Sequence, residues 1–131
     1  MLSPSTLEFL RSLCETSHAA YPEGGILWTY IEAANQAHSK LESVRRLSGV
    51  EPLRIEDFGR WLQVPLGDWG RADLPPNESA KQLVALLRVD LEPDQMSVLV
   101  DDQSGSASFR ICMARAADNH YFELELWWSL D

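Results

Sequence analysis

The segment from Tyr121 to Leu130 alternates between two kinds of side chain, and this alternation constrains the fold more than any other feature of the sequence. One set is apolar throughout: Phe122, Leu124, Leu126, Trp128 and Leu130. The other set mixes acidic and aromatic side chains and ends in a serine: Tyr121, Glu123, Glu125, Trp127 and Ser129. Because successive side chains of a β-strand point to opposite faces of the sheet, the pattern predicts a strand with one face in the core and one facing outward.

Two more segments of strand-like composition precede it, at 96–100 and 108–114. The residues between the three segments, 101–106 and 117–120, are rich in Asp, Asn, Ser and Gly, which favour turns. The last third of the chain is therefore predicted to be a three-stranded antiparallel meander.

The first two thirds of the chain are predicted to be mainly helical. A first helix is expected over 5–19, beginning at a capping box formed by Ser5 and Glu8. A second is expected over 26–47, where apolar residues recur at intervals of three and four: Leu27, Tyr30, Ala34, Ala37, Leu41 and Val44. These two helices are expected to form an antiparallel hairpin.

Two shorter helices complete the prediction, one over 55–62 and one over 78–89 with Asn77 as its cap. A long irregular connection, 63–76, separates them. The expected architecture is a single α+β domain over 1–131, mainly helical over 1–89 and a β-meander over 90–131. Its helices cover one face of the three-stranded sheet and leave the other face open.

Charge is concentrated in the predicted sheet. The chain of 131 residues carries 20 acidic and 11 basic residues, a net charge of -9. Residues 90–131 hold nine of the acids but only two of the bases, which accounts for seven of the nine net negative charges. Since binding to phosphate requires clustered Lys and Arg, this balance argues against nucleic acid or an anionic membrane as the partner. No leader-like or membrane-spanning apolar run occurs, so a cytoplasmic location is expected.

Patterns typical of catalysis and of metal binding are missing. The two cysteines, Cys14 and Cys112, are far apart in sequence, and three histidines are scattered at His18, His38 and His120. No zinc spacing, phosphate-binding glycine loop or nucleophile elbow is present. We therefore expect no catalytic residue, no metal and no cofactor. The adjacent acids at 56–57 and 101–102 leave acid–base chemistry or a divalent ion as a weaker alternative.

The outward side chains of the last strand are the strongest candidates for a binding site. Aromatic groups supply contact area and carboxylates steer a basic partner, so we expect this surface to dock a protein. Two turn acids and a glycine-flanked loop extend the candidate set, which is Tyr121, Glu123, Glu125, Trp127, Asp101, Asp102, Asp68 and Trp69. The plainer alternatives are that Arg110 pairs with one of the glutamates on an ordinary solvated face, and that Trp69 packs its loop onto the core.

In overall character the chain resembles the small immunity proteins that bacteria pair with their own toxins, which are short, acidic and without catalytic residues. The resemblance is one of class, so no family residue is carried over. It implies an antitoxin-type inhibitor that binds a basic toxin or effector. Alternatives are a secretion chaperone, which would dimerise through 26–47, and a phage-encoded inhibitor; monomer and homodimer stay open. A different class, a small enzyme or ligand-binding domain, would place a pocket between helices and sheet, lined by Trp28, Trp61 or Trp128.

Overall fold

The computed structural model describes residues 1–33, 51–67 and 75–130. Within these residues, three helices pack on one face of a five-stranded antiparallel sheet with strand order β1-β5-β4-β3-β2. The helices are α1 (Pro4–Ala20), α2 (Ile55–Leu66) and α3 (Pro76–Leu91). The strands are β1 (Gly25–Ala33), β2 (Glu51–Pro52), β3 (Gln95–Gln103), β4 (Ser106–Arg115) and β5 (His120–Ser129).

The prediction of a three-stranded sheet is wrong, because strands come from both ends of the chain. The predicted meander is present as β3, β4 and β5, but β1 pairs with β5 along its whole length and β2 pairs with β3. The α+β class holds, whereas the sheet has five strands in the described residues.

The predicted helix over 26–47 is wrong over 26–33, and with it the helical hairpin; residues 34–50 lie outside the described part of the chain. Its apolar residues have helical spacing, but the β-branched and aromatic side chains between Ile26 and Ile31 also satisfy period two. The pairing of β1 with β5, which joins residues 88 to 104 positions apart, favours the strand over the helix.

The helix boundaries differ by a few residues from the predicted ones. α1 is capped by Ser3 rather than by Ser5: the Ser3 hydroxyl accepts a hydrogen bond from the Thr6 N–H at 3.3 Å, and Pro4 occupies the first turn. α2 runs four residues beyond the predicted end, to Leu66. α3 begins at Pro76, so the predicted cap Asn77 lies inside it, and the Asn77 side chain lies against Gly59 of α2.

The core lies between the helices and the inner face of the sheet. Phe58 of α2 stacks on Phe109 of β4 with ring centroids 4.6 Å apart, and Tyr21 meets Trp128 edge-on at 5.6 Å. The alternation predicted for the last strand is confirmed within β5, because Phe122, Leu124, Leu126 and Trp128 are buried. Leu130 falls just after the strand and is half exposed. Over the described ranges, we find no helix that is long and apolar enough to cross a membrane.

Candidate functional site

The face of the sheet turned away from α1, α2 and α3, here called the outer face, contains most of the predicted site residues. Residues paired across antiparallel strands share a face, so the register defines rows of side chains running from β1 to β3. One row is Leu27, Trp127, Ser108 and Asp101. The next is Thr29, Glu125, Arg110 and Leu99, and the third is Ile31, Glu123, Cys112 and Ser97.

Apolar side chains are exposed along one side of the outer face. Leu27 is 63% exposed, Ile31 45% and Trp127 41%. Leu27 lies directly opposite Trp127, and the exposed Asp101 lies farther along the same row. We call Leu27 and Trp127 the Leu27–Trp127 patch. Large apolar side chains that share an exposed surface with acids are typical of sites where proteins bind one another.

The two glutamates of β5 lie beside Arg110 of β4. The Arg110 guanidinium donates to Glu125 Oε2 from Nη2 at 2.6 Å and from Nε at 2.9 Å, and its Nε lies 3.8 Å from Glu123 Oε2. Partial burial acts to lower the pKa of Arg110, but the hydrogen bond to Glu125 and the charge of Glu123 outweigh it and raise that pKa. The pairing of Arg110 with a glutamate, which the sequence left as the plainer alternative, is therefore present.

The ion pairs of Arg110 make the outer face less negatively charged than the sequence predicts. Glu123 is largely buried and also accepts a contact from the Cys112 thiol at 3.6 Å, while Glu125 keeps about a quarter of its side chain exposed. Two carboxylates and one guanidinium leave one net negative charge at the centre of the face, and Asp101 adds a second at its edge. Trp127 is not sealed beneath helices, so the aromatic part of the predicted surface is accessible.

The remaining predicted site residues are spread out. Tyr121 is partly buried and lies three rows from Trp127, opposite Ala33 and Ala114. Asp102 points to the inner face, since it pairs with Ala107 rather than Ser108. Asp68 and Trp69 lie outside the described residues. The structure thus groups Trp127, Glu125 and Glu123 on the outer face, with Asp101 at its edge and Tyr121 one row beyond Glu123, and it places Asp102 on the inner face.

The sequence analysis missed Leu27 and Ile31 as surface residues. The predicted helix over 26–47 includes both residues, and only Leu27 belongs to its apolar stripe. A β-strand over 25–33 places Leu27 and Ile31 on the face opposite to Ile26 and Trp28. The alternation of side chains that predicts this strand is present in the sequence.

A second candidate site is a cleft of about 320 Å³ between α2 and the inner face of β3, β4 and β5. Its described lining is mostly apolar: Trp61, Val64, Pro65, Val100, Ala107, Phe109 and Trp128, with Asp57, Arg60 and Asp102 as its charged members. The volume is near the lower end of the range for small-molecule sites, about 300 to 1,000 Å³. The indole N–H groups of Trp61 and Trp128 are buried and have no hydrogen-bond partner among the described residues.

The two acidic residues of the cleft, Asp57 and Asp102, differ in their surroundings. Asp57 accepts from Arg54 Nε at 2.8 Å, a hydrogen bond that lowers the pKa of Asp57, and it lies 3.9 Å from Arg60 Nη1. Asp102 is exposed. A ligand with an apolar ring and a positive group would match this lining.

Two observations concern reactive thiols and metal ligands in the described residues. Burial raises the pKa of the Cys14 thiol, which works against a reactive thiolate. No cluster of three or more His, Cys, Asp or Glu side chains suited to a metal occurs over 1–33, 51–67 and 75–130. We compared the chain with known proteins, and no protein-family model, no curated protein and no solved structure matches it.

Proposed function

We propose that the protein is a small protein-binding inhibitor of the immunity or antitoxin type, and that it contacts its partner through the outer face. The observation that carries the proposal is the Leu27–Trp127 patch: two large apolar side chains, directly opposite each other and 63% and 41% exposed, on a face with a net negative charge. An exposed tryptophan within a mixed apolar and charged surface is a typical anchor of a protein interface.

The charges favour a basic partner. Glu125 is next to Trp127 on the outer face of β5, Asp101 lies beyond Ser108 in the row of Trp127, and the chain as a whole is strongly acidic. Such a surface speeds association with a basic protein through long-range attraction, while the aromatic anchor supplies most of the affinity. Because Glu125 already pairs with Arg110, the acidic side chains mainly speed the approach of the partner and orient it.

The protein encoded by the neighbouring gene is the first partner to test. If that protein is toxic when expressed, co-expression of this chain is expected to restore growth, and the Trp127→Ala variant is expected to lose the rescue. In titration calorimetry Trp127→Ala is expected to weaken binding by about 30-fold, the equivalent of about 2 kcal/mol for an interface anchor. Added salt is expected to slow association.

Val89→Ala is the matched control, because Val89 is a large apolar residue, 78% exposed, on α3 at a distance from the outer face. It is expected to bind and rescue like the unaltered protein. Equal binding by Trp127→Ala and the unaltered protein would remove the outer face as the contact surface. A neighbouring protein that neither binds nor harms growth would count against the immunity function itself.

The cleft favours a second function, binding of a small molecule. An arylalkylamine fits the lining of the cleft, with its ring against Trp61 and Trp128 and its ammonium group beside Asp102. Phenethylamine is a suitable probe because it does not interfere with tryptophan fluorescence.

Titration with phenethylamine is expected to change the fluorescence in a saturable way, and Asp102→Asn is expected to weaken the binding. Asp101→Asn is the control, since Asp101 is the next residue but lies on the opposite face. No saturable change, or equal weakening by both variants, would exclude this use of the cleft.

A further inference from the structure

Ser108 forms a notch in the outer face, because its side chain is smaller than those beside it on the neighbouring strands. The register places Trp127 of β5 on one side of Ser108 and Asp101 of β3 on the other. Adjacent strands lie about 4.8 Å apart, so a group seated over Ser108 is close to both neighbours. A hollow of about 530 Å³ opens here, and its lining includes Asp101, Ser108 and Arg110. We call this place the Ser108 notch, and it has room for a side chain of another molecule.

The charges around the Ser108 notch favour a cation. Asp101 is exposed, accepts a long hydrogen bond of 3.5 Å from its own strand and forms no ion pair with another described residue. Arg110 also borders the notch, but its Nη2 lies 2.6 Å from Glu125 and its Nε 3.8 Å from Glu123. Two carboxylates therefore offset the charge of Arg110, and the carboxylate of Asp101 is left to attract a positive group.

We propose that the partner inserts an arginine side chain into the Ser108 notch. This inference rests on the proposed function, because it names the residue type that the outer face recognises on a basic partner. The alkyl stem of the arginine lies against the ring of Trp127, which is 41% exposed, and its guanidinium group meets the carboxylate of Asp101.

Arginine fits the Ser108 notch better than lysine does. A guanidinium group is planar, donates two parallel hydrogen bonds to one carboxylate and packs flat on an aromatic ring. The notch offers an indole ring and a carboxylate in the same row, on the two strands that flank Ser108. An ammonium group is a compact, strongly hydrated charge, so it uses only the carboxylate.

Nuclear magnetic resonance tests the notch without the natural partner. The probe is the tripeptide Gly-Arg-Gly blocked at both ends, and the indole N–H signal of Trp127 is the one that disappears in Trp127→Phe. The peptide is expected to shift this signal in a saturable way, with a dissociation constant of about 1 to 10 mM. The same peptide with citrulline, which has a similar shape but no charge, is expected to leave the signal in place. The lysine peptide is expected to bind more weakly than the arginine peptide.

Two variants locate the binding of the arginine peptide. Asp101→Asn is expected to weaken it about two- to fivefold, as for an exposed ion pair. Glu78→Gln is the control, because it removes the same charge from an exposed position on α3, on the other side of the sheet, and it is expected to bind normally. Ser108→Val fills the notch with a side chain that suits a strand, so it is expected to abolish the shift and to unfold at the same urea concentration. The inference would be overturned by no saturable shift, by an equal shift with citrulline, or by equal weakening in Asp101→Asn and Glu78→Gln.

Binding of the partner protein separates this inference from the proposed function. If binding needs Trp127 but is unchanged in Asp101→Asn and in Ser108→Val, the outer face remains the contact surface and the arginine contact is wrong. Weaker binding in both variants, with the unaltered affinity in Glu78→Gln, would support the arginine contact.

Discussion

Two adjacent tryptophans in β5 show how strongly a strand separates the roles of neighbouring residues. Trp128 is 9% exposed and packs edge-on against Tyr21, whereas Trp127 is 41% exposed on the other face. We expect Trp128→Ala to lower the free energy of unfolding by about 3 to 5 kcal/mol, and Trp127→Ala to change it by less than about 0.5 kcal/mol. Urea denaturation measures both values.

Trp128→Phe is a useful comparison for this pair. It keeps most of the apolar volume and removes an indole N–H that has no hydrogen-bond partner in the described part of the chain, so it is expected to cost less than Trp128→Ala. A larger loss of stability for Trp127→Ala than for Trp128→Ala would contradict the orientation of β5.

Arg110 carries a second prediction at the scale of single residues. Arg110→Met leaves two neighbouring carboxylates without their cation, so we expect a loss of about 1 to 3 kcal/mol of folding stability. The double variant Arg110→Met with Glu125→Met is expected to recover part of that loss, because the repulsion between carboxylates is gone. Additive effects in this double-mutant cycle would mean that the ion pair contributes nothing.

At the scale of elements, α2 and α3 approach closely where α2 has a glycine. A Cβ atom on Gly59 would lie 1.8 Å from the Asn77 side-chain oxygen and 3.1 Å from the Asn77 Cα atom. Alanine at this position gains about 1 kcal/mol in helix propensity. We nevertheless expect Gly59→Ala to destabilise the protein by about 1 to 3 kcal/mol, because the helices must move apart.

Thermal unfolding of Gly59→Ala in two backgrounds distinguishes the cause. Combined with Asn77→Ala, which removes the obstructing oxygen, the substitution is expected to cost less than it does alone. An increase in stability for Gly59→Ala in the original background would show that helix propensity outweighs the contact.

The elements differ in how well the sequence predicts them, and the difference has a physical basis. β5 is predictable because its alternation continues over the whole strand, so that a helix would expose half of the apolar side chains. β1 is not, because its short apolar run fits both periods and its pairing partner is distant in the sequence. The predicted cap of α1 is two residues away from the observed one. Ser3 and Ser5 suit the cap position equally well by local sequence, and the hydrogen bond from the Ser3 N–H to Asp90 is a tertiary contact that the local sequence does not show.

At the scale of the whole molecule, several carboxyl groups make folding stability depend on pH. The hydrogen bond from Arg115 lowers the pKa of Asp118 to about 2 from its ordinary value of 3.8. Asp90 also has a lowered pKa, because hydrogen bonds from Ser3 and Thr6 outweigh the opposing effect of burial.

These lowered pKa values predict a loss of stability in acid. A carboxyl whose folded pKa lies below the unfolded one stabilises the fold above the unfolded value, and the contribution disappears as pH falls through the folded value. For Asp118 the window is therefore pH 3.8 down to about 2. Urea unfolding at a series of pH values is expected to show this decline, with a smaller slope in Asp118→Asn and in Arg115→Met. An unchanged slope in both variants would contradict the assignment.

The candidate site was only partly predictable for a reason that also belongs to the whole molecule. Alternation within β5 suffices to place Glu123, Glu125 and Trp127 on one face. The pairing of Arg110 with Glu125, the separation of Asp101 from Asp102 and the contribution of Leu27 all depend on the register between strands. The register is set jointly by the turns and by core packing, so it cannot be predicted from local sequence patterns alone.

The pairing of β1 with β5 has a consequence for synthesis. On the ribosome, residues 25–33 are made well before 120–129, the strand that pairs with them. Until then a nascent chain carries an apolar segment, Ile26 to Ile31, with neither its hydrogen-bonding neighbour nor its place in the core. A chain that stops before residue 120 is therefore expected to recruit chaperones, because it lacks the strand that closes its sheet.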